Sequence, residues 1–232
     1  MHELFQDMAN FILDFAFPKF CFGCQKEGSF LCDICRPSIP YLEYQFCIMC
    51  NKPSRAGFTH PGCLKKMGPD QCVSVFSYQT SPVSEMIIAG KYYFVPEIFQ
   101  ILGNLAASVL TLSEPKEFYA ICPLPLHKRR LRWRGFNQAS VISKQISMKF
   151  SIPIIDCLIR KKATKTQKDL SQIGRIKNVR NAFEVKEKES IKNKHVLLID
   201  DVVTTGMTLR SATNALKKAG AQRVTCLTIA RD

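Results

Sequence analysis

Two groups of residues in this 232-residue chain have the types and spacing to do chemistry. The first is a run of paired metal-type ligands. Cys21 and Cys24, Cys32 and Cys35, Cys47 and Cys50, and His60 and Cys63 are each separated by two residues. So short a knuckle lets two side chains grip one tetrahedral ion, with zinc–sulfur bonds of about 2.3 Å. Two knuckles complete one site, so four could make two sites, paired either in sequence or interleaved. The competing reading is a disulfide framework. Against it stand the odd total of eleven cysteines and the absence of a secretion-type leader. Cys72, Cys122, Cys157 and Cys226 lie apart from the cluster and read as small apolar residues of the interior.

The second group is Asp200, Asp201, Val202, Val203, Thr204, Thr205, Gly206, Met207 and Thr208. It follows the apolar run Val196-Leu-Leu-Ile199, which has the pattern of a strand buried on both faces of a parallel sheet. Two carboxylates at the carboxyl edge of such a sheet sit where open α/β sheets bind ligands. Hydroxyls, a glycine and a helix start then offer N–H donors and a positive dipole end to one phosphate. Carboxylates beside a phosphate cradle repel the ligand unless they bind hydroxyls or a hydrated cation. The implied ligand is a sugar phosphate, with Asp200 and Asp201 on a vicinal diol. Neither G-x-x-x-x-G-K-[ST] nor G-x-G-x-x-G is present, which argues against a nucleotide-triphosphatase loop and a dinucleotide fingerprint.

The elements that must position these residues follow from periodicity. Strands are predicted over 73–78, 118–122 and 224–230, with a short one over 183–185 and an extended segment over 152–159. Helices are predicted over 82–92, 96–112, 135–150 and 208–219, the last ended by Gly220. Strand, helix and strand at the C-terminus make a βαβ unit, so the fold class is α/β. Residues 1–72 are expected to form an N-terminal helix and a double metal module, and 73–232 the α/β domain. Leu4, Phe5, Met8, Phe11, Ile12 and Phe15 carry the helical spacing of the first element.

The formal net charge is +14. Between Lys128 and Lys194 there are 19 Lys and Arg against 5 Asp and Glu, and the rest of the chain is balanced. One basic region therefore draws anions, whether nucleic acid, phosphorylated metabolites or an acidic membrane surface. Within it, 160–181 reads as a mobile basic loop able to close over a bound anion. No stretch approaches the roughly 18 consecutive apolar residues of a membrane span. Residues 1–17 hold three acids and no Lys or Arg, unlike a signal peptide, so a cytoplasmic location is expected.

The segment 196–209 resembles the phosphoribosyl pyrophosphate (PRPP) motif of type I phosphoribosyltransferases. Pro123-Leu-Pro-Leu-His-Lys-Arg-Arg-Leu-Arg-Trp-Arg-Gly-Phe-Asn-Gln138 resembles the signature of the ComF family, also called ComFC- or GntX-type proteins. Arg160, Thr164, Gln167, Leu170, Arg175, Asn178 and Phe183 match that family's spaced pattern, and the four knuckles resemble its N-terminal double zinc ribbon. His60 stands where the family usually has cysteine.

This resemblance implies a type I phosphoribosyltransferase fold, a twisted and mainly parallel sheet flanked by helices, preceded by the zinc module. It implies that Asp200 and Asp201 contact the ribose hydroxyls of PRPP and that Thr204 to Thr208 hold its 5-phosphate. Mg²⁺ would accompany PRPP, and one or two Zn²⁺ would be structural. The turn at Leu124 to Arg130 corresponds to the pyrophosphate loop, with Arg129 and Arg130 as catalytic contacts. Arg134, Asn137 and Gln138 could line the site. The reaction implied is displacement of pyrophosphate from PRPP, with an acceptor the sequence does not name. The family takes its name from competence, so single-stranded DNA and other DNA-uptake proteins are implied partners. Trp133, Phe136 and Phe150 are candidate base-stacking residues. The alternative is a non-catalytic PRPP sensor or single-stranded-DNA-binding factor.

Overall fold

The computed structural model describes residues 18–64, 67–110, 117–161 and 182–232. The predicted N-terminal helix and nearly all of the basic loop lie outside them. Among the described residues there are six strands: β1 (Gln71–Ser77), β2 (Ala120–Pro123), β3 (Leu158–Arg160), β4 (Phe183–Val185), β5 (His195–Val203) and β6 (Arg223–Arg231). Four of them form a parallel sheet in the order β1-β6-β5-β2, while β3 and β4 make a separate antiparallel pair. Val196 to Ile199 are fully buried at the centre, as a continuous apolar run on a central strand requires.

The helices are α1 (Pro61–Leu64), α2 (Val83–Tyr92), α3 (Pro96–Leu110), α4 (Lys128–Arg134), α5 (Gln138–Phe150) and α6 (Met207–Lys218). Pro96 occupies the first position of α3, where its missing N–H costs nothing. Helix α3 packs on α5, which lies against β5 and β2, and α6 connects β5 to β6.

Most boundaries differ from the sequence expectation by one to three residues, the helix expected from 135 starting at Gln138, and three segments differ in kind or extent. Strand β5 continues through Val203 because β6 matches it along its whole length, with Asp200 opposite Thr228 and Val203 opposite Arg231. Asp200 and Asp201 are therefore inside the strand, three and two residues before its end. The segment from Lys128 is helical, not a turn. His127 caps it by accepting from the Arg129 N–H at 3.3 Å, and Gly135 closes it at φ +82°. In the segment 152–159, Ile154 bridges Ile121 on the free side of β2, and only the last residues enter β3.

The metal-type residues precede β1 and are strapped to its free edge. The Leu42 N–H donates to Val75 O at 2.8 Å, and the Gln45 amide bonds both ways with the Ser74 backbone at 2.9 Å. Tyr41 stacks on Phe76 with ring centroids 5.3 Å apart. Leu31, Ile39 and Ile48 belong to the same buried cluster as the sheet.

Candidate functional site

The knuckles come together in sequential pairs. Cys21, Cys24, Cys32 and Cys35 form one quartet, and Cys47, Cys50, His60 and Cys63 the other, each with its ligand atoms within 4.8 Å of one another. All eleven cysteines are free thiols. The backbone is arranged for thiolates: the N–H groups of Gly23 and Cys32 each donate to Cys21 Sγ at 3.4 Å. Burial by itself would raise the Cys21 thiol, but the N–H donors of Cys32, Cys24 and Gly23 outweigh it and bring it to about 6. Cys47 is lowered to about 7 in the same way, burial being outweighed by donors from His60, Met49 and Cys50. Cys35 is pushed up to about 12, chiefly by hydrogen bonding with Cys32, as expected when four thiols crowd one point.

His60 fits its quartet. Its Nε2 lies 3.1 Å from Pro53 O, which takes the ring proton there and turns Nδ1, 3.3 Å from Cys50 Sγ, toward the thiols. Either quartet could hold a zinc ion.

The second site is at the carboxyl edge of the sheet. Asp201 is 5% exposed and forms an ion pair with Lys91 at the end of α2. Gln138, at the start of α5, donates to the same carboxylate oxygen at 3.4 Å, and Arg134 Nη1 donates to Gln138 Oε1 at 2.7 Å. Burial would raise Asp201, but the charge and hydrogen bond of Lys91 outweigh it and hold the carboxyl below its ordinary value. Burial first, and the Asp201 charge second, raise Asp200 well above the ordinary carboxyl range. The two neighbouring carboxyls are therefore shifted in opposite directions, Asp201 down and Asp200 up.

Basic groups ring this pair. Arg134 is buried, and its pKa is lowered by desolvation, with Asp201 opposing and Arg130 adding to the shift. Arg160 at the end of β3 is lowered by burial and by Arg130, against the pull of Asp200. Three arginines from α4 and β3 thus act on one locus. Arg129 and Arg130 are exposed on the first turn of α4. Asn137 caps α5 through the Ala139 N–H at 3.2 Å and donates to Leu124 O at 3.0 Å, tying the two ends of the arginine-bearing segment together.

Beyond β5, Thr204 and Thr205 are exposed and Gly206 is buried at φ +68°, a conformation that favours glycine. Met207 and Thr208 begin α6. Val202 is partly buried and Val203 buried, so these two support the loop.

Of the three candidate stacking residues, Phe136 and Phe150 are partly buried and pack against the core. Trp133 is 55% exposed and makes edge contacts with Tyr92 and Phe94 at 6.2 and 5.0 Å. Lys91 went unread because a lysine closing a short apolar helix carries no local signal, and only packing brings it to Asp201.

The Asp201 geometry sets an expected result. Asp201→Asn leaves Lys91, whose side chain is only 20% exposed, without its counter-charge, which costs up to about 3–5 kcal/mol. Chemical denaturation should show that loss, and Lys91→Met in the same chain should recover most of it. A stability unchanged in Asp201→Asn would mean that the ion pair contributes nothing.

A parallel sheet ending in this acid–hydroxyl–glycine loop, with arginines opposite, defines a protein of the phosphoribosyltransferase fold class. Residues 135–232 match the phosphoribosyl transferase domain family. The chain is 30% identical over 220 residues to Competence protein F of Haemophilus influenzae, covering 91% of this chain and 90% of that one. It is 28% identical to DNA utilization protein YhgH of Escherichia coli, covering 84% and 93%. It is 26% identical to Competence protein ComFC of Bacillus subtilis, covering 89% and 86%. The chain belongs to the ComF family.

Proposed function

We propose that this protein binds PRPP at Asp200 to Thr208, with Mg²⁺, and acts in the handling of single-stranded DNA. The observation that supports it most is the unequal carboxyl pair ending in a hydroxyl-rich loop and faced by three arginines. In this reading Asp200 takes the ribose hydroxyls, while Asp201 holds Lys91 and Gln138 in place. Thr204, Thr205, Gly206 and Thr208 receive the 5-phosphate, with Val202, Val203 and Met207 shaping the turn. Arg129, Arg130 and Arg134 face the pyrophosphate.

Mg²⁺ would be held with PRPP on the Asp200 side of the site and would supply positive charge against the departing pyrophosphate. The chain's own residues orient PRPP and stabilise the leaving group, so no protein nucleophile is needed. In turnover the bond from the anomeric carbon to pyrophosphate breaks and a bond to the acceptor forms. Two domains are proposed, the metal-bearing module over 1–72 and the phosphoribosyltransferase-like unit over 73–232. The location proposed is the cytoplasm; no helix among the described residues is long and apolar enough to cross a membrane.

The relatives' names, competence and DNA utilization, support the DNA part. So does the exposed Trp133 beside Tyr92, Phe94 and the arginines of α4, which suits stacking of bases among phosphate contacts. That cluster also favours a second reading, a DNA-binding factor that senses PRPP without turnover and signals to other DNA-uptake proteins. A screen of acceptors for PRPP-dependent pyrophosphate release, run beside calorimetry, separates them. Release with at least one acceptor supports transfer; binding without release from any supports the sensor; no PRPP binding overturns both. Single-stranded DNA affinity should fall linearly in log salt, and Trp133→Ala should weaken it by about 1–3 kcal/mol.

A further inference from the structure

The second metal quartet touches the phosphate loop. Ile48 follows Cys47 in the third knuckle, is 5% exposed and lies directly over Gly206. A Cβ built on Gly206 would stand 2.5 Å from Ile48 Cγ1, 3.0 Å from its Cδ1 and 3.4 Å from its carbonyl oxygen. Glycine at 206 thus meets two needs at once, the positive φ and the room for Ile48. Both flanks of the knuckle are attached to the neighbouring strand end. Asn51, one residue past Cys50, accepts a hydrogen bond from Arg231 Nη2. The Arg231 guanidinium lies 5.2 Å from the ring centroid of Phe46, one residue before Cys47. Arg231 is in turn the register partner of Val203, from which the loop departs.

We infer that the Cys47/Cys50/His60/Cys63 quartet, when it holds zinc, clamps the phosphate loop through Ile48, so that the metal there and PRPP at the loop stabilise each other. This rests on the reading of Thr204 to Thr208 as the PRPP phosphate site. The physical argument is one of stiffness. A knuckle whose Cys47 and Cys50 share an ion cannot drift, so Ile48 becomes a fixed wall behind Gly206. A loop backed by a wall has fewer conformations to lose when its N–H groups converge on a phosphate. Coupling of this kind is reciprocal: whatever zinc does for PRPP, PRPP does for zinc. The first quartet offers an internal comparison, because Ile34 between Cys32 and Cys35 is 77% exposed.

The test follows zinc release from the zinc-loaded full chain into an excess of a chromophoric chelator. Two phases are expected, one per quartet, and His60→Ala identifies the second. Saturating PRPP with Mg²⁺ should slow the second phase about fivefold or more and leave the first unchanged. Ile48→Ala should abolish that slowing, and Ile34→Ala should keep it. A ligand-free arm guards against misfolded variants. Gly206→Ala should speed zinc loss from the second quartet, and adding Ile48→Ala should recover part of the slow loss by removing the side-chain clash, while the strain of a positive φ at 206 remains. PRPP that binds by calorimetry but changes neither phase would overturn the clamp alone. Unaltered zinc release in Gly206→Ala would also overturn it. Absence of any PRPP binding would overturn the site reading and the clamp together.

Discussion

Asp200→Asn is expected to weaken PRPP binding about tenfold or more at neutral pH while leaving the fold at least as stable as wild type. The two halves of this result have one cause. Asp200 is raised well above the ordinary carboxyl range by burial and by the neighbouring Asp201 charge. A carboxyl whose folded value lies above its unfolded value makes the protein lose stability as pH rises from the unfolded pKa to the folded one. Asparagine does not titrate, so it removes that loss. Toward ligand the sign reverses. Ribose hydroxyls donating to Asp200 favour its ionised form, and charge-assisted hydrogen bonds contribute roughly 1.5–3 kcal/mol each. PRPP binding should therefore release a proton from Asp200 and tighten as pH rises toward its raised pKa. Calorimetry in buffers of different ionisation heat reads the proton directly: the enthalpy should vary with buffer in wild type and not in Asp200→Asn. Single-stranded DNA affinity should hold in the variant, because the substitution leaves Trp133 and the exposed arginines of α4 unchanged. An unchanged PRPP affinity in a folded Asp200→Asn protein would remove this loop from consideration as the ribose site. The single substitution is preferable to changing both aspartates, since Asp201 is committed to Lys91 and its loss damages the fold.

Stripping zinc should have the larger effect on stability. Protein purified without chelator is expected to carry up to two equivalents of zinc by elemental analysis, and less than about half an equivalent would count against both quartets. In zinc-finger peptides the metal contributes on the order of 10 kcal/mol or more to folding. Here the metal-bearing segment also covers the edge of the sheet. Leu42 and Gln45 bond to the backbone of Val75 and Ser74 on β1, and Tyr41 covers Phe76. Chelation should release these contacts, uncover the outer edge of β1 and expose Phe76. An uncovered strand edge is a template for association. Light scattering should therefore rise with chelator and fall back when zinc is restored before aggregates mature. A stripped protein that stays monomeric with unchanged thermal unfolding would show that the segment folds without metal.

Local chemistry carried much of this protein in plain view. Four two-residue spacings of cysteine and histidine announce metal ligation because a knuckle's geometry depends on the residues within it. Val196 to Thr208 announces a buried strand and a phosphate loop for the same reason: hydrophobic run, carboxylates, hydroxyls and glycine are contiguous. The βαβ unit around α6 follows from periodicity alone. Contacts between distant segments were not legible. Nothing near Lys91 says that it will pair with Asp201, and nothing near Ile48 says that it will rest on Gly206. The opposite shifts of Asp200 and Asp201 depend on which of them pairs with Lys91 across the fold. Sequential pairing of the knuckles was likewise decided by how the chain folds back, since both pairings satisfy the same spacing. Even the length of β5 was decided by its neighbour: a strand continues as long as a partner answers its N–H and C=O groups, and β6 answers through Arg231. Spacing along the chain determined which atoms could bind a metal or a phosphate, and packing determined their partners and their charges. A pKa or a register depends on what lies a few ångströms away in space, however far apart the residues are in the chain.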